Sequence, residues 1–334
     1  MKKALSIAIL LIVPFIVFAQ PAREAVSDVL TVYCYDAFAS DWGPGPSLIP
    51  RFEEETGIKV NLVSAGDAVE MVTRLKMEGD TTPADVVLGI TDDFAYKAYD
   101  LLESYDSPVL KDIPDELEFD SEHRLLPFDY GDFAFVWDSE SGIRKPESLE
   151  DLTKDEYRKK VILIDPRTSS VGLGLLMWTS NQFGDQWSSW WLKMKDNALT
   201  IADGWSSAYG LFTEGEAPIV LSYTTSPVYH VMNDNTTRYQ ALIFPEGHQA
   251  TIEGVGIMKG AKNRENAEKF IDFILTEGQE DLAVMNSMYP VNSTTVLPDA
   301  FDYAPKPAIM FKSGTVGPEK EAELVEKWTE VMTK

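Results

Sequence analysis

The sequence predicts an α/β protein of two lobes built on mainly parallel sheets. Short apolar, β-branched segments alternate along the chain with segments whose apolar residues recur at helical spacing. Such alternation is typical of strands joined by crossover helices, which bring successive strands into one sheet. A chain of 334 residues, 44% of them hydrophobic, is long enough for two lobes with cores of their own.

The first α/β region begins with a predicted strand at 29–35, which is rich in β-branched and aromatic residues. Two more strands are predicted at 58–63 and 84–89. Apolar residues at helical spacing precede Gly57 and again Gly79, and a glycine is a common helix terminator. The resulting order, βαβαβ, predicts a doubly wound sheet.

A second α/β region begins near residue 128, with predicted strands at 133–137, 161–164 and 219–223. Between the last two lies a helical stripe of large side chains, which we expect to face the core: Trp187, Trp190, Trp191 and Met194. Further helices are predicted at 267–275 and after Pro318.

These regions suggest a discontinuous first lobe and a continuous second lobe. We expect lobe 1 to comprise 20–128 with 254–302, lobe 2 to comprise 129–253, and 303–334 to form a helical segment that packs on the lobes. No low-complexity linker separates the regions, so brief connections are expected at a hinge.

The first nineteen residues have the pattern of a cleavable signal peptide. Lys2 and Lys3 precede an apolar run, and Ala19 follows at cleavage spacing. The run is short for a membrane span, although a retained anchor helix is the alternative. Export to the periplasm makes the lone cysteine, Cys34, informative, since it has no partner for an intramolecular disulfide. Cys34 shares strand parity with Leu30, which predicts a buried thiol.

A formal charge of −25 argues against partners that carry phosphate backbones or anionic lipid headgroups. It is compatible with a cationic or neutral small ligand. The three histidines are scattered, and the sequence contains no nucleophile elbow, P-loop or H-E-x-x-H motif. We therefore expect neither a metal centre, nor a cofactor, nor an enzyme.

Three segments carry residues suited to ligand binding. Tyr35 and Trp42 follow the first strand, at the strand end where open α/β sheets bind ligands. Ser169 opens a helix after the strand at 161–164, where it could cap the helix or help to seat an anion. Trp205 lies in a later loop, which with 221–230 adds further aromatic rings. Ordinary packing of these aromatic residues is the competing interpretation.

The sequence resembles the periplasmic thiamine-binding proteins of ABC importers. The matching blocks run in order from near the mature N-terminus to about residue 300. They include Asp41-Trp42-Gly43-Pro44-Gly45-Pro46, Ala84-Asp85-Val86-Val87-Leu88-Gly89, Pro127-Phe128-Asp129-Tyr130-Gly131, Asp165-Pro166-Arg167-Thr168-Ser169, Gly204-Trp205-Ser206, Leu221-Ser222-Tyr223-Thr224-Thr225-Ser226-Pro227 and Met288-Tyr289-Pro290-Val291. The resemblance implies a group II periplasmic-binding fold, in which two hinged lobes close over thiamine or its phosphates. It also implies a monomer that serves the permease and ATPase subunits of an importer.

The resemblance further implies a set of ligand contacts. Tyr35, Tyr223 and Tyr229 would contact the pyrimidine. Trp42, Asp67, Ser169 and Trp205 would surround the thiazolium and the hydroxyethyl or phosphate end, with Ser170 beside Ser169. The sequence departs from the family pattern at Ser287, where a stacking tryptophan is expected.

Two other functions are weighed against this one. Tyr223 and Tyr229 could bind ferric iron as phenolates, in a transport protein of the same fold, and the acidic composition also suits a polyamine. Thiamine-degrading enzymes with a cysteine nucleophile share this general architecture, and Cys34 would be the only candidate thiolate.

Overall fold

The computed structural model describes residues 29–312 and 317–333. The predicted signal peptide at 1–19 lies outside these ranges. No helix within them combines the length and the apolar character that crossing a membrane requires.

The strands and helices alternate along the chain. The strands are β1 (Val29–Cys34), β2 (Lys59–Ser64), β3 (Val86–Thr91), β4 (Leu102–Glu103), β5 (Leu126–Asp138), β6 (Val161–Ile164), β7 (Ala198–Ala202), β8 (Ile219–Tyr223), β9 (Tyr239–Ala241), β10 (His248–Met258), β11 (Tyr289–Pro290) and β12 (Met310–Phe311). The α-helices are α1 (Asp36–Ala39), α2 (Gly45–Thr56), α3 (Ala68–Glu78), α4 (Ser170–Phe183), α5 (Trp187–Asn197), α6 (Trp205–Thr213), α7 (Pro227–Asn233), α8 (Arg264–Leu275), α9 (Gln279–Met285) and α10 (Pro318–Thr333).

The first half of the molecule is organised around β1, which pairs in parallel with β2 on one side and β3 on the other. Leu30, Val32 and Cys34 of β1 lie on one face of the strand, because alternate side chains of a strand point the same way. All three are fully buried. Helix α2 ends at Gly57, whose φ of 74° closes the helix in the left-handed region. The predicted βαβαβ unit and the buried Cys34 are confirmed.

Two long strands, β5 and β10, cross from one half of the molecule to the other. The main sheet order is β2-β1-β3-β10-β5-β8-β6-β7, so β5 and β10 lie side by side at its centre. They run antiparallel to each other, and β5 leaves β10 to pair with β8 in its second half. The outer strands are parallel as predicted, and the sheet becomes mixed only where these two strands pass between the lobes.

The predicted lobe boundaries, near residues 128 and 254, fall within these crossing strands and stay a prediction. The second half of the molecule repeats the parallel pattern, since β6 pairs in parallel with both β7 and β8. Strands β6 and β8 have the predicted bounds. The predicted helical stripe is in the core, where Trp191 and Met194 are fully buried.

Helix α10 contacts both halves of the molecule. Its Trp328 packs edge-on against Trp191 of the second half, with ring centroids 5.7 Å apart. Its Glu321, only 3% exposed, accepts a hydrogen bond from the Tyr96 hydroxyl at 2.5 Å and forms an ion pair with Lys97. Both partners of Glu321 belong to the first half.

Candidate ligand-binding cleft

A cavity of about 240 Å³ lies between the two halves. Its walls come from residues that follow, or lie close to, the carboxyl ends of the parallel strands, as expected for an open α/β sheet. Six aromatic side chains line it: Tyr35, Trp42, Trp205, Tyr209, Tyr223 and Tyr229. Within the described ranges, the lining also includes the carboxylates of Asp36, Asp67 and Glu253, and neither lysine nor arginine. The cavity is therefore aromatic and acidic.

Trp205 organises the aromatic wall. Its ring stacks on Tyr209 at a centroid distance of 4.9 Å and lies 5.8 Å from Trp42, which reaches it from the other half. The indole Nε1 donates a hydrogen bond to the Ser222 hydroxyl at 2.8 Å, which sets the plane of the ring. Trp42 is 39% exposed, so it lies where the cavity opens to solvent. Flat rings on both sides of one space suit a planar ligand.

Asp67 joins the two halves across the cavity. It caps α3, accepting a hydrogen bond from the Ala68 amide, and its carboxylate also reaches the start of α4. There Oδ2 accepts a hydrogen bond from the Ser169 hydroxyl at 2.8 Å, and Oδ1 accepts one from the Ser170 amide at 3.0 Å. Burial raises the pKa of Asp67 to about 6, although these hydrogen bonds oppose the shift.

The start of α4 was predicted either to be capped by Ser169 or to help seat an anion, and a carboxylate of the protein itself is found there. The Ser169 hydroxyl caps the helix by accepting a hydrogen bond from the Val171 amide, while it donates to Asp67. Ser169 is fully buried and does not line the cavity, whereas Ser170 does. A ligand phosphate would therefore compete with Asp67 for these donors.

The floor of the cavity is built around Tyr35. Its ring packs on Gly89, where φ is 102° and an added Cβ would lie 2.1 Å from Tyr35 Cδ1. The Asn286 amide Nδ2 donates to the Tyr35 hydroxyl at 2.9 Å and to Asp129 Oδ2 at 2.6 Å. Glu253 lines the same region from β10. The floor thus combines one aromatic face with carboxyl and amide groups.

A chain of polar groups extends from the aromatic wall. The Tyr209 hydroxyl is 2.9 Å from His230 Nε2, and His230 Nδ1 is 2.7 Å from Asp234 Oδ2. Burial lowers the pKa of His230, so the neutral imidazole is favoured. Tyr229 precedes this histidine and lines the cavity. These bonds hold Tyr209 in place beneath Trp205.

Seven of the eight predicted site residues line the cavity, and the eighth, Ser169, lies directly behind it. Their contacts with a ligand stay a prediction. Ser287, where a tryptophan was expected, also lines the cavity, with a φ of 51°. Sequence reasoning missed further lining residues: Asp36, Tyr209, His230, Glu253 and Asn286. Glu253 carried no local signal, because its strand, β10, also begins with polar residues.

The two alternative functions, a cysteine-dependent enzyme and a ferric-iron binding protein, depend on Cys34 and on Tyr223 with Tyr229. Cys34 is fully buried and does not line the cavity, and burial raises the pKa of its thiol well above the usual value. Burial and the charge of Glu253 raise the pKa of Tyr223, which disfavours the phenolate that ferric iron requires. Among the described residues, no group of three or more His, Cys, Asp and Glu is arranged to hold a metal ion.

Two α/β halves around a ring-lined cleft define the class of the protein, a two-lobed solute-binding protein. The chain belongs to the family of bacterial extracellular solute-binding proteins, whose family model matches residues 47–310. It is 43% identical over 294 residues to the thiamine-binding periplasmic protein of Brucella abortus, covering 86% of each chain. It is 39% identical to the protein of the same name from Escherichia coli K12, covering 98% of each.

A solved structure described as a periplasmic thiamin binding protein has the same fold. It superposes with a TM-score of 0.84 at 36% identity, covering 92% of this chain and 96% of the other. The predicted two-lobed periplasmic-binding fold and the resemblance that suggested it are confirmed.

Proposed function

We propose that this protein captures thiamine in the cleft between its lobes and delivers it unchanged to an ABC importer. The observation that carries the proposal is the lining of the cleft, which combines stacked aromatic rings with carboxylates and lacks lysine and arginine among the described residues. The names of its relatives point to the same ligand. The protein acts in the periplasm, to which the predicted signal peptide would direct it.

Thiamine suits such a lining because it carries a permanent positive charge on an aromatic thiazolium ring. We assign this ring to the space beside Trp42 and Trp205, since the face of an indole attracts a cation by about 0.5–2 kcal/mol. Asp67 supplies the opposite charge. Its position at the boundary between the halves lets one carboxylate act on the ligand and on lobe closure together.

The aminopyrimidine is assigned to the deeper part of the cleft. Tyr35 and Tyr223 offer ring faces there, and Tyr229 lies on the side of the second half. Phosphorylated thiamine would place its phosphate near Ser169 and Ser170, where it has to displace or share the bonds that Asp67 accepts. The ratio of affinities for thiamine and its phosphates therefore measures how readily Asp67 gives up these bonds.

Transport, rather than chemical conversion, is the proposed fate of the ligand. A closed two-lobed shell is a shape that a permease can distinguish from an open one. Hydrogen bonds across the cleft favour closure, and they include the one from the Ser206 hydroxyl to Asp36 at 3.1 Å. The permease, its ATPase and a monomeric state in solution belong to this proposal.

Isothermal titration calorimetry with thiamine, thiamine monophosphate and thiamine diphosphate tests the proposal. We expect saturable one-to-one binding, and thiamine recovered intact by mass spectrometry after long incubation. Spermidine and ferric citrate serve as comparison ligands. Absence of heat and of any melting shift with all three thiamine forms, on a folded sample, would overturn the proposal.

A further inference from the structure

Asp129 and Glu253 form a pair of facing carboxyl groups at the floor of the cleft, here termed the floor acid pair. They are directly opposite each other on the crossing strands β5 and β10. Asp129 is 1% exposed and Glu253 is 7% exposed, and Glu253 lines the cavity. Two side chains of the same charge therefore face each other in a nearly dry place.

Neither member of the floor acid pair is fully hydrogen-bonded. Asp129 Oδ1 and Glu253 Oε2 are buried without a hydrogen-bond partner, while Asp129 Oδ2 accepts from the Asn286 amide. A buried carboxyl oxygen left unpaired costs stability, because it has lost its hydrogen bonds to water. Such a cost is tolerated where a ligand group supplies the missing partner, and Glu253 lines the cavity in which a ligand would lie.

The groups around Glu253 favour its protonated form. Asp129 faces it from β5, Asp67 adds negative charge from the start of α3, and Tyr35 and Tyr223 are neutral phenols. Burial together with the charge of Asp67 raises the pKa of Glu253 to about 8, against the effect of the nearby Tyr35 hydroxyl. Burial and Glu253 raise the pKa of Asp129 as well. The pair thus holds a proton at neutral pH, because two close carboxylates resist joint ionisation.

We propose that Glu253, supported by Asp129, binds the edge of the ligand's heteroaromatic ring that carries the amino group. A protonated carboxyl group has a donor O–H and an acceptor C=O side by side. An aminopyrimidine offers the complement, a ring nitrogen that accepts and an exocyclic amino group that donates. Two parallel hydrogen bonds form without net charge transfer, and they supply the buried Glu253 oxygen with a partner. This inference rests on the proposed function and goes further by assigning the determinant of ring specificity.

Two aromatic residues of the cavity lining, Tyr35 and Tyr223, lie near Glu253. Tyr35 packs on Gly89, and both Tyr35 and Tyr223 are close enough to Glu253 for its charge to affect their pKa. A ring stacked on these faces directs its edge to the floor of the cleft. Stacking alone tolerates any planar ring, so discrimination between rings falls to the floor acid pair.

The experiment compares thiamine with its 4-deamino analogue by calorimetry at pH 7 on wild type, E253Q and E253M. Wild type should prefer thiamine by about tenfold or more, since the analogue lacks one donor. E253M should reduce that preference below about threefold, because a thioether of similar length offers neither group. E253Q should keep the preference, since an amide also presents a donor beside an acceptor.

A pH series from 6 to about 8.5 adds a second measurement. Wild-type affinity for thiamine should decline as Glu253 loses its proton, and the decline should be absent in E253Q. Melting curves establish that each variant is folded. Equal preference in wild type and E253M, or loss of preference in E253Q, would overturn the inference while thiamine binding itself persists. If wild type binds no thiamine at all, the proposed function is what fails.

Discussion

The Asp67 carboxylate accepts a hydrogen bond from the Ser169 hydroxyl at 2.8 Å, and this bond joins the capped end of one helix to the capped end of another across the cleft. Both residues are buried, and each caps its own helix. The bond exists only while the halves are together, so it couples the closed arrangement to the side chain assigned to the thiazolium.

Asp67→Ala should weaken thiamine binding by about tenfold or more, because it removes both the counter-charge and the hydrogen bonds across the cleft. The loss of the α3 cap should also cost about 1 kcal/mol of stability. Calorimetry and chemical denaturation measure the two effects separately. Asp80→Ala is the matched control, since Asp80 is an exposed carboxylate in the turn that follows the far end of the same helix. Equal affinity in both variants would contradict the role given to Asp67.

Trp205→Ala and Tyr229→Ala should each weaken thiamine binding by about tenfold or more while the protein stays folded, since each removes a ring face from the cleft. Trp205→Phe should lose less affinity for thiamine, because it keeps an aromatic ring. It gives up only the hydrogen bond to Ser222 and part of the area of the ring face. Tyr303→Ala, which changes an aromatic residue that is 50% exposed and outside the cavity lining, is the control. Wild-type affinity in both alanine variants would count against the assigned contacts.

Gly89→Ala should weaken thiamine binding by pushing Tyr35 into the cavity, and should destabilise the fold by about 1–3 kcal/mol. Gly57→Ala separates the two effects. It places a side chain at a φ of 74° with nothing within 4 Å, so it adds backbone strain without a collision. We expect Gly57→Ala to lower the melting temperature and leave the dissociation constant for thiamine unchanged. A Gly89→Ala protein that binds like wild type would show that Tyr35 can move without loss.

The unliganded protein should lose stability as pH rises from about 5 to 9, partly through Glu253. Its folded-state pKa of about 8 lies above the usual value near 4.5, so the folded form holds a proton that the unfolded chain releases. The stabilisation is therefore complete at low pH and lost as pH rises through 8. Glu253→Gln should remove this dependence. Between pH 5 and pH 9, the difference in free energy of unfolding between this variant and wild type should therefore shift in favour of the variant by on the order of 1–4 kcal/mol. Denaturant melts at both pH values measure this, with the exposed Glu265→Gln as control; identical pH dependence in wild type and Glu253→Gln would refute it.

Cys34 should resist a thiol reagent in the folded protein and react only after denaturation, because it is fully buried and its thiol stays protonated. Wild type and Cys34→Ser should both return thiamine intact after long incubation. Colorimetric thiol titration and mass spectrometry of the ligand provide the readouts. Cleavage of thiamine by wild type, abolished in Cys34→Ser, would instead favour the enzyme interpretation.

The outer strands and their helices were readable from the sequence because each one carries its own local pattern. Strand β6 is four apolar residues between polar turns, and β8 ends at the tyrosine predicted to end it. The crossing strand β10 was not predicted. It begins with polar residues that are buried against β5 and β12, and only their long-range partners make that burial favourable.

The site was predictable to the extent that its residues follow strand ends. Tyr35, Trp205 and Tyr223 lie there, where a parallel sheet places its ligands. The floor acid pair could not be found this way, because its members are more than 120 residues apart and meet only through strand register. The contact of Asp67 with Ser169 spans 102 residues and depends equally on the packing of the two halves.

Helix α10 limits how the molecule can open. Its Glu321 contacts the first lobe and its Trp328 contacts the second, so the helix connects the two lobes. When the lobes separate to bind or release the ligand, α10 must lose its contacts at one end or bend along its length. Glu321 and Trp328 therefore bear on how far the lobes can separate, although neither residue lines the cavity.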